Sequence, residues 1–445
     1  MRKLRRVLAL AAALCLLGTA AAEGLQDCHR FTLTKKDTTQ SNKSVVRVWT
    51  VDTALDSVDA EINALAQDLA ERWGGALKPA ANKTGKNSRL DVEIRCSRTG
   101  LSWMSFLVQA RITYHRDLTG QKIVSRTYNM RTGERVMLTD IFAPDSEGWQ
   151  VLEQAVRDTC AASFPDEEAP EEALEALCTR EALESADFTL HGMSLVVHIP
   201  ADRLYPDHHT LIEVTLYYPQ IRPMMTEEAQ TETDNASYYK TCALTFDDGP
   251  ARTNTTLVLQ SLMAAGCRAT FFVIGNRIAS YEDLVQREHD EGHSVGTHNW
   301  NHGNVSKKSA AHIRAMKPRC TQAMIAAIGI PEPYNRVPYG LYNQLISAKA
   351  GWPLIQWSLD TYDWRGHSTS TILSKVKKEI ADGDIILCHD IKDKTPATTT
   401  ALCEYLQEAG YMLLTVDELF AKDGIELKPD TVYFHNAGGE TGLKK

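Results

Sequence analysis

The chain has 445 residues, enough for two domains of ordinary size. Hydrophobic residues make up 43% of it and the formal net charge is −9. Each half can therefore bury a core, while the acidic balance argues against nucleic acid or anionic membrane as the main partner and leaves a neutral glycan compatible.

Four basic residues (Arg2, Lys3, Arg5, Arg6) precede the apolar run VLALAAALCLLG, and Ala20-Ala21-Ala22 then leads to Glu23. This order reads as an export signal over residues 1–22, cleaved after Ala22. Its loss takes the net charge from −9 to −13. The run is short for a membrane span of ~20 residues, so a secreted or wall-associated protein is expected, with a retained anchor helix as the alternative and no stable span after cleavage. Leu14 stands where a lipoprotein signal needs a small residue before its cysteine, which discounts Cys15 as a lipid site. Nine cysteines follow. Export permits disulfides. Cys160 and Cys178 flank an acidic helical stretch and are the expected pair; the odd number leaves a thiol over, and none has the C-x-x-C spacing of a zinc site.

Residues 23–44 read as a polar lead-in. From 45 to 220 the pattern predicts an α+β domain: a strand at VVRVWTV, a helix over 57–73, and strands around 90–98, 103–114 and 122–131 with a hairpin turn at Leu118-Thr119-Gly120. A helix-rich acidic section (149–186) and strands near 188–199 and 211–218 complete it. Residues 221–240 are polar without a sustained apolar period and read as a linker.

After Thr241 short apolar strands alternate with helices: CALTF, ATFFVIG, SVGTH, YNRVPYG, PLIQWSLD, DIILCH and YMLLTV, with a short helix expected near 343. The fold class is therefore α/β, a distorted (β/α) barrel of about seven parallel strands over 241–420, preceded by the α+β domain. The tail, 421–445, is polar. In such a barrel reactive groups cluster at the C-terminal strand ends. Here those ends carry Asp247-Asp248-Gly249-Pro250, His298 with His302, Arg336 to Gly340, Asp360 with Asp363-Trp364, and His389-Asp390. The i, i+4 spacing of His298 and His302 predicts both imidazoles on one face of a helical turn. With one carboxylate they make a His₂Asp site that keeps a position open for water, as catalytic zinc sites do. The adjacent acids 247 and 248 can then divide into metal ligand and base.

TFDDGP (245–250), HNWNH (298–302), RVPYG (336–340), DTYDW (360–364) and ILCHD (386–390) together resemble the five motifs of the polysaccharide deacetylases, carbohydrate esterase family four. The resemblance covers about residues 241–420. It implies Asp247 as catalytic base, Asp248, His298 and His302 as metal ligands, Arg336 as the group that pins Asp247 bidentately, and the Tyr339 amide as oxyanion donor. It implies His389 as general acid oriented by Asp363, with Asp360 in the same network, and Trp364 and Leu387 as the apolar pocket for the acetyl methyl. The cofactor implied is a divalent metal, zinc first, with cobalt or manganese as alternatives. The implied activity is N-deacetylation of peptidoglycan or a chitin-like polymer. An O-acetyl esterase on xylan and an inactive glycan-binding or sensory protein are the alternatives.

Two positions depart from the family pattern. Asn299 replaces a Ser or Thr that braces the loop, and is expected to hydrogen-bond in its place; Val337 replaces a Pro. Cys388 alternates with His389 along its strand and should pack rather than react. The first half, through YNMRTGERVMLTDIF and LVVHIPADRLYP, resembles a module found with secreted peptidoglycan deacetylases and lysozyme-sensing anti-sigma factors. A spacer role and a role in binding wall glycan or a protein remain open for it.

Overall fold

Apolar residues at every second position of RLDVEI and the β-branched run of VVRVWTV make half-buried strands, and the 3.6-residue spacing of Val58, Ile62, Ala66 and Leu69 makes the helix that covers them. In the computed structural model, residues 25–40, 44–75, 77, 88–341 and 350–436 are described; the export signal (1–22) and the short helix expected near 343 lie outside them. Strands β1 (Thr32–Thr39), β2 (Val45–Asp52), β3 (Ser88–Thr99), β4 (Trp103–Tyr114), β5 (Asp117–Asn129) and β6 (Arg135–Val136) form one sheet in that order. Only β2 and β3 pair in parallel, joined by the crossover helix α1 (Asp56–Gly74). Leu90, Val92 and Ile94 turn into the core under α1. A second core lies between α2 (Gly148–Ala162), its neighbouring short helices and the small sheet β7 (Phe188–Leu190), β8 (Ser194–Pro200) and β9 (Leu211–Tyr217).

The structure departs from the expected pattern in this half. Residues 23–44 are more than a polar lead-in, since they contribute β1. The hairpin turn lies at His115-Arg116, with His115 at φ 67°, not at 118–120. Gly120 pairs with Ile112 inside β5, and the register shift next to it absorbs Thr119 as an extra residue. Residues 221–240 fold into short helices rather than a linker. Ile221, Met225, Ala229 and Asn235 are buried there, and the polar remainder had masked so short an apolar stripe. The expected Cys160–Cys178 bond is absent: both are buried thiols of the second core, acting as small apolar fillers, and all nine described cysteines are free.

The second half is built on β10 (Lys240–Asp247). It pairs in parallel with β15 (Asp384–His389) on one side and, on the other, with β16 (Tyr411–Leu414) at its start and β11 (Thr270–Val273) at its end. β12 (Ser294–Thr297) extends the sheet past β11, and β14 (Leu359–Asp360) extends it past β15. Asn335 bridges β12 to β13 (Leu354–Ile355), which pairs with β17 (Val432–Tyr433). The sheet curls into a distorted barrel. YNRVPYG thus gives a bridge rather than a strand, PLIQWSLD splits into β13 and β14, and the supposed tail supplies β17. Helices α3 (Asn254–Ala265), α4 (Glu282–Asp290), α5 (Ala310–Ile328), α6 (Thr369–Glu379), α7 (Thr395–Glu408) and α8 (Val416–Ala421) surround it. No described helix is long and apolar enough to cross a membrane.

Candidate active site

Parallel register sets the site. Asp247 at the end of β10 is the register partner of His389 at the end of β15, so both side chains emerge on one face about one strand spacing apart. Leu387, two residues before His389, shares that face. Cys388 points the other way into the core between barrel and helices, where burial pushes its thiol well above the usual range.

Asp248, His298 and His302 bring one ligand atom each to within 4.8 Å of one another. His298 Nδ1 lies 2.8 Å from the Arg336 carbonyl, the geometry in which that nitrogen donates and Nε2 keeps its lone pair for the site. His302 Nε2 stands 3.0 Å from Asp248 Oδ1, and His298 Nε2 stands 3.6 Å from it. That carboxylate oxygen is buried and accepts no well-aligned hydrogen bond. An orphaned anionic oxygen facing two imidazoles fits a divalent cation, with Asp248, His298 and His302 as the residues that would hold it. Burial alone would raise the Asp248 pKa, but the His302 and His298 imidazoles pull it down to about 2.

The two histidines are not on a helical turn. Asn299 and His302 have φ of 59° and 52°, and a left-handed residue at each position folds the segment back as a loop. Asn tolerates that conformation. Its side-chain amide nitrogen is buried without a partner, so the expected side-chain brace is missing; the Asn299 carbonyl instead accepts from Gly275 N at 2.9 Å.

Arg336 is fully buried and holds Asp247 by one contact, Nη1 to Oδ1 at 2.8 Å, not bidentately. The rest of its fork is committed: Nε to the Ile355 carbonyl, Nη2 to the Gln356 carbonyl, and Nη1 also to Thr245. Asp247 Oδ2 therefore stays free, 3.7 Å from His298 Nε2. On the other side, Asp363 clamps His389 twice, at Nδ1 (2.8 Å) and at the backbone N–H (2.7 Å). Burial alone would lower the His389 pKa, but the Asp363 hydrogen bond and the charges of Asp363, Asp247 and Asp248 raise it above the usual imidazole value. Asp360 takes no hydrogen bond from His389: it accepts from Tyr362 N and Trp364 Nε1, and burial raises its pKa. Trp364 and Tyr339 stand exposed at the rim, the latter left-handed at φ 63° and edge-on to His302.

The motif list also contained Asp390 without a role. It is fully buried, accepts from Thr255, and burial pushes its pKa up to about 7. A Cβ on Gly249 would come within 2.5 Å of its Oδ2. Asp390 thus shapes the turn that aims Asp247 and Asp248, and its only sequence signal is its place beside His389.

The profile of the polysaccharide deacetylase family matches residues 234–352. The chain is similar to a peptidoglycan-N-acetylglucosamine deacetylase of Listeria monocytogenes, 37% identical over 43% of this chain and 41% of that one. It is also similar to a chitooligosaccharide deacetylase of a Bradyrhizobium species, 33% identical over 40% of this chain and 89% of that one. A solved structure described as a T48 deacetylase with substrate is 35% identical, with a TM-score of 0.42, over 44% of this chain and 96% of the other. The match to the Listeria protein spans about two fifths of that protein's length.

Proposed function

Because this chain belongs to the polysaccharide deacetylase family, a metal-dependent family of hydrolases, we propose that it removes N-acetyl groups from peptidoglycan or a related amino-sugar polymer and releases acetate. The observation that carries this reading is the shared mouth of three devices: the Asp248–His298–His302 triangle, Asp247 on its Arg336 tether, and His389 in its Asp363 clamp. When bound there, a divalent cation, with zinc our assignment over cobalt or manganese, supplies Lewis acidity to the acetyl carbonyl and lowers the pKa of coordinated water.

Everything else falls to the chain. Asp247 uses its free Oδ2 to take the proton as water attacks. The Tyr339 N–H helps receive the oxyanion, a contribution of ~3–4 kcal/mol for a well-placed donor. His389, held protonated by Asp363, gives its proton to the departing nitrogen, since an amine anion leaves poorly. Leu387 and Trp364 form the pocket for the acetyl methyl. Similarity to deacetylases of peptidoglycan and chitooligosaccharide supports N-acetyl over O-acetyl substrates. We also propose export to the wall, supported by the basic-then-apolar start of the sequence, with the first half placing the enzyme there.

The test is acetate release from peptidoglycan, chitooligosaccharides and acetylxylan side by side, with and without chelator. Release from the first two, abolished by chelator and restored by zinc, is expected. Release from acetylxylan alone would make the protein an O-acetyl esterase, and none from any glycan would make it a binding protein.

A further inference from the structure

The first sheet has two unlike faces. Leu90, Val92 and Ile94 enter the α1 core, so alternation sends Arg89, Asp91 and Glu93 to the opposite side. Register sets Arg47 beside Asp91 and Asp91 beside Arg111. This charged face looks onto the outer barrel helices α3 and α4. Between them lies a cleft of about 450 Å³, lined by Arg47, Arg89, Arg111, Arg116, Arg252 and Arg287 but by only three carboxylates, Asp91, Glu93 and Asp283. Its size is that of a ligand site.

Much of this charge is already paired. Asp290 and Glu291, behind the wall, hold Arg111 and Arg287. Asp37 grips Arg47 with both oxygens. Three of these arginines keep N–H groups without a protein acceptor. Arg89 gives Nη2 to Asp91, while its Nε is buried with no acceptor. Arg252 gives Nη1 to Asp283, while its Nη2 is buried with no acceptor. Arg116, exposed on the β4–β5 turn, has no ion pair or hydrogen bond among the described residues. Buried guanidinium N–H groups without acceptors are costly, and an oxyanion is the partner their planar fork matches.

We propose that Arg89, Arg116 and Arg252 form an oxyanion site for a carboxylate- or phosphate-bearing wall polymer, outside the catalytic mouth. Arg252 follows Asp248 by four residues, so the chain places it at most ~14 Å from that residue. Arg252 thus lies on the loop that follows β10, the strand that carries Asp247 at its end. Only the identity of the polymer rests on the proposed function; the oxyanion chemistry does not.

Calorimetric titration of the full chain with oligogalacturonate and with oligo(glycerol phosphate), at low and high salt, tests the site and separates the two sources of the oxyanion. The wild type should bind one of them, more weakly at high salt. Arg89→Gln and the charge reversal Arg116→Glu should each weaken that binding about tenfold or more. Arg116 is exposed and unpartnered, so its variant should keep the wild-type melting temperature. Binding of neither oligomer by the wild type, or equal binding by a folded Arg116→Glu variant, overturns the proposal. Oligoanion binding with no acetate release from any glycan would remove the deacetylase reading and leave this site standing.

Discussion

The four contacts of Arg336 fix Asp247 from one side only. A guanidinium bonded to two carbonyls and a threonine hydroxyl has one direction left for the carboxylate, and that leaves Oδ2 open. Asp247→Asn keeps the shape and removes the proposed base. Acetate release should fall by about 10²–10⁴-fold, while zinc binding, measured by metal analysis after dialysis, should persist. Activity near wild type would remove Asp247 from the base role. Glu288 on α4 makes a different demand. It is fully buried, and both its carboxyl oxygens lack partners. Burial, with the nearby charges of Asp390 and Glu291, raises its pKa well above the ordinary 4.5. The folded state thus holds a proton that the unfolded chain gives up as pH rises past 4.5, so this residue costs stability increasingly toward alkaline pH. Glu288→Gln should therefore gain stability relative to wild type as pH rises from 4.5 to 8 in urea unfolding. A difference independent of pH would mean Glu288 ionises in the fold.

At the scale of elements, register does the positioning. β10 and β15 align Asp247 with His389, and α8 is locked by a capping box in which Thr415 accepts from Glu418 N and Glu418 accepts from Thr415 N. Glu418 also holds Met193 N and Ser194 Oγ, so the helix start and the contact to the first half share one carboxylate. Thr415→Ala should cost ~1 kcal/mol, read as a lower thermal midpoint with acetate release unchanged per folded molecule. What could be read from sequence follows the same physics. Strand ends carrying Asp and His were legible because four motifs fall where apolar runs stop, whereas Arg336 follows only the Asn335 bridge. The loop carrying His298 and His302 was not, because i, i+4 spacing says helix unless left-handed residues are known. Nor was the single contact of Arg336, because it depends on Ile355 and Gln356, whose carbonyls reach it only after β13 is in place. The short helices of 221–240 were hidden by a stripe too brief for a 3.6-residue period to show.

The halves are joined by buried polar groups as well as by the apolar cluster that sets Met193 among Phe272, Met412 and Leu414. Thr189 bridges His191 and His198 at 2.7 Å each, beside Arg268 and His293 of the barrel half. Burial, then the charge of Arg268, lowers His198 to about 3, and burial lowers His191 and His293 well below 6.5. These imidazoles are neutral in the fold. The unfolded chain takes up their protons as pH falls through 6.5, so the stability they contribute is present above that value and is lost toward pH 3. His289, which burial would lower but the Asp290 hydrogen bond and the Glu213 charge raise, acts in the opposite sense. Lowering the pH from 7 to 5 should destabilise the wild type relative to a His198→Gln variant, read as thermal midpoints, and a difference independent of pH would mean that His198 is charged in the fold.

A further tie between the halves is Asp290 on α4. It is fully buried and accepts from three groups of the first half: Arg111 Nη1 at 3.2 Å on β4, Thr210 Oγ1 at 2.5 Å, and Leu211 N at 3.0 Å on β9. Both sheets of the first half therefore hang on one carboxylate of the barrel. Asp290→Ala strands Arg111 as a buried charge and leaves two further donors empty. Loss of one partner from such a pair costs about 3–5 kcal/mol. The cost falls on the contact between the halves, since each keeps its own core. Calorimetry of the variant should therefore show two transitions where the wild type shows one. The lower should report on the first half, and the upper should move with added zinc, because the residues proposed to hold the cation all lie in the barrel. A single transition, merely shifted, would mean that the apolar contacts around Asp290 suffice to couple the halves.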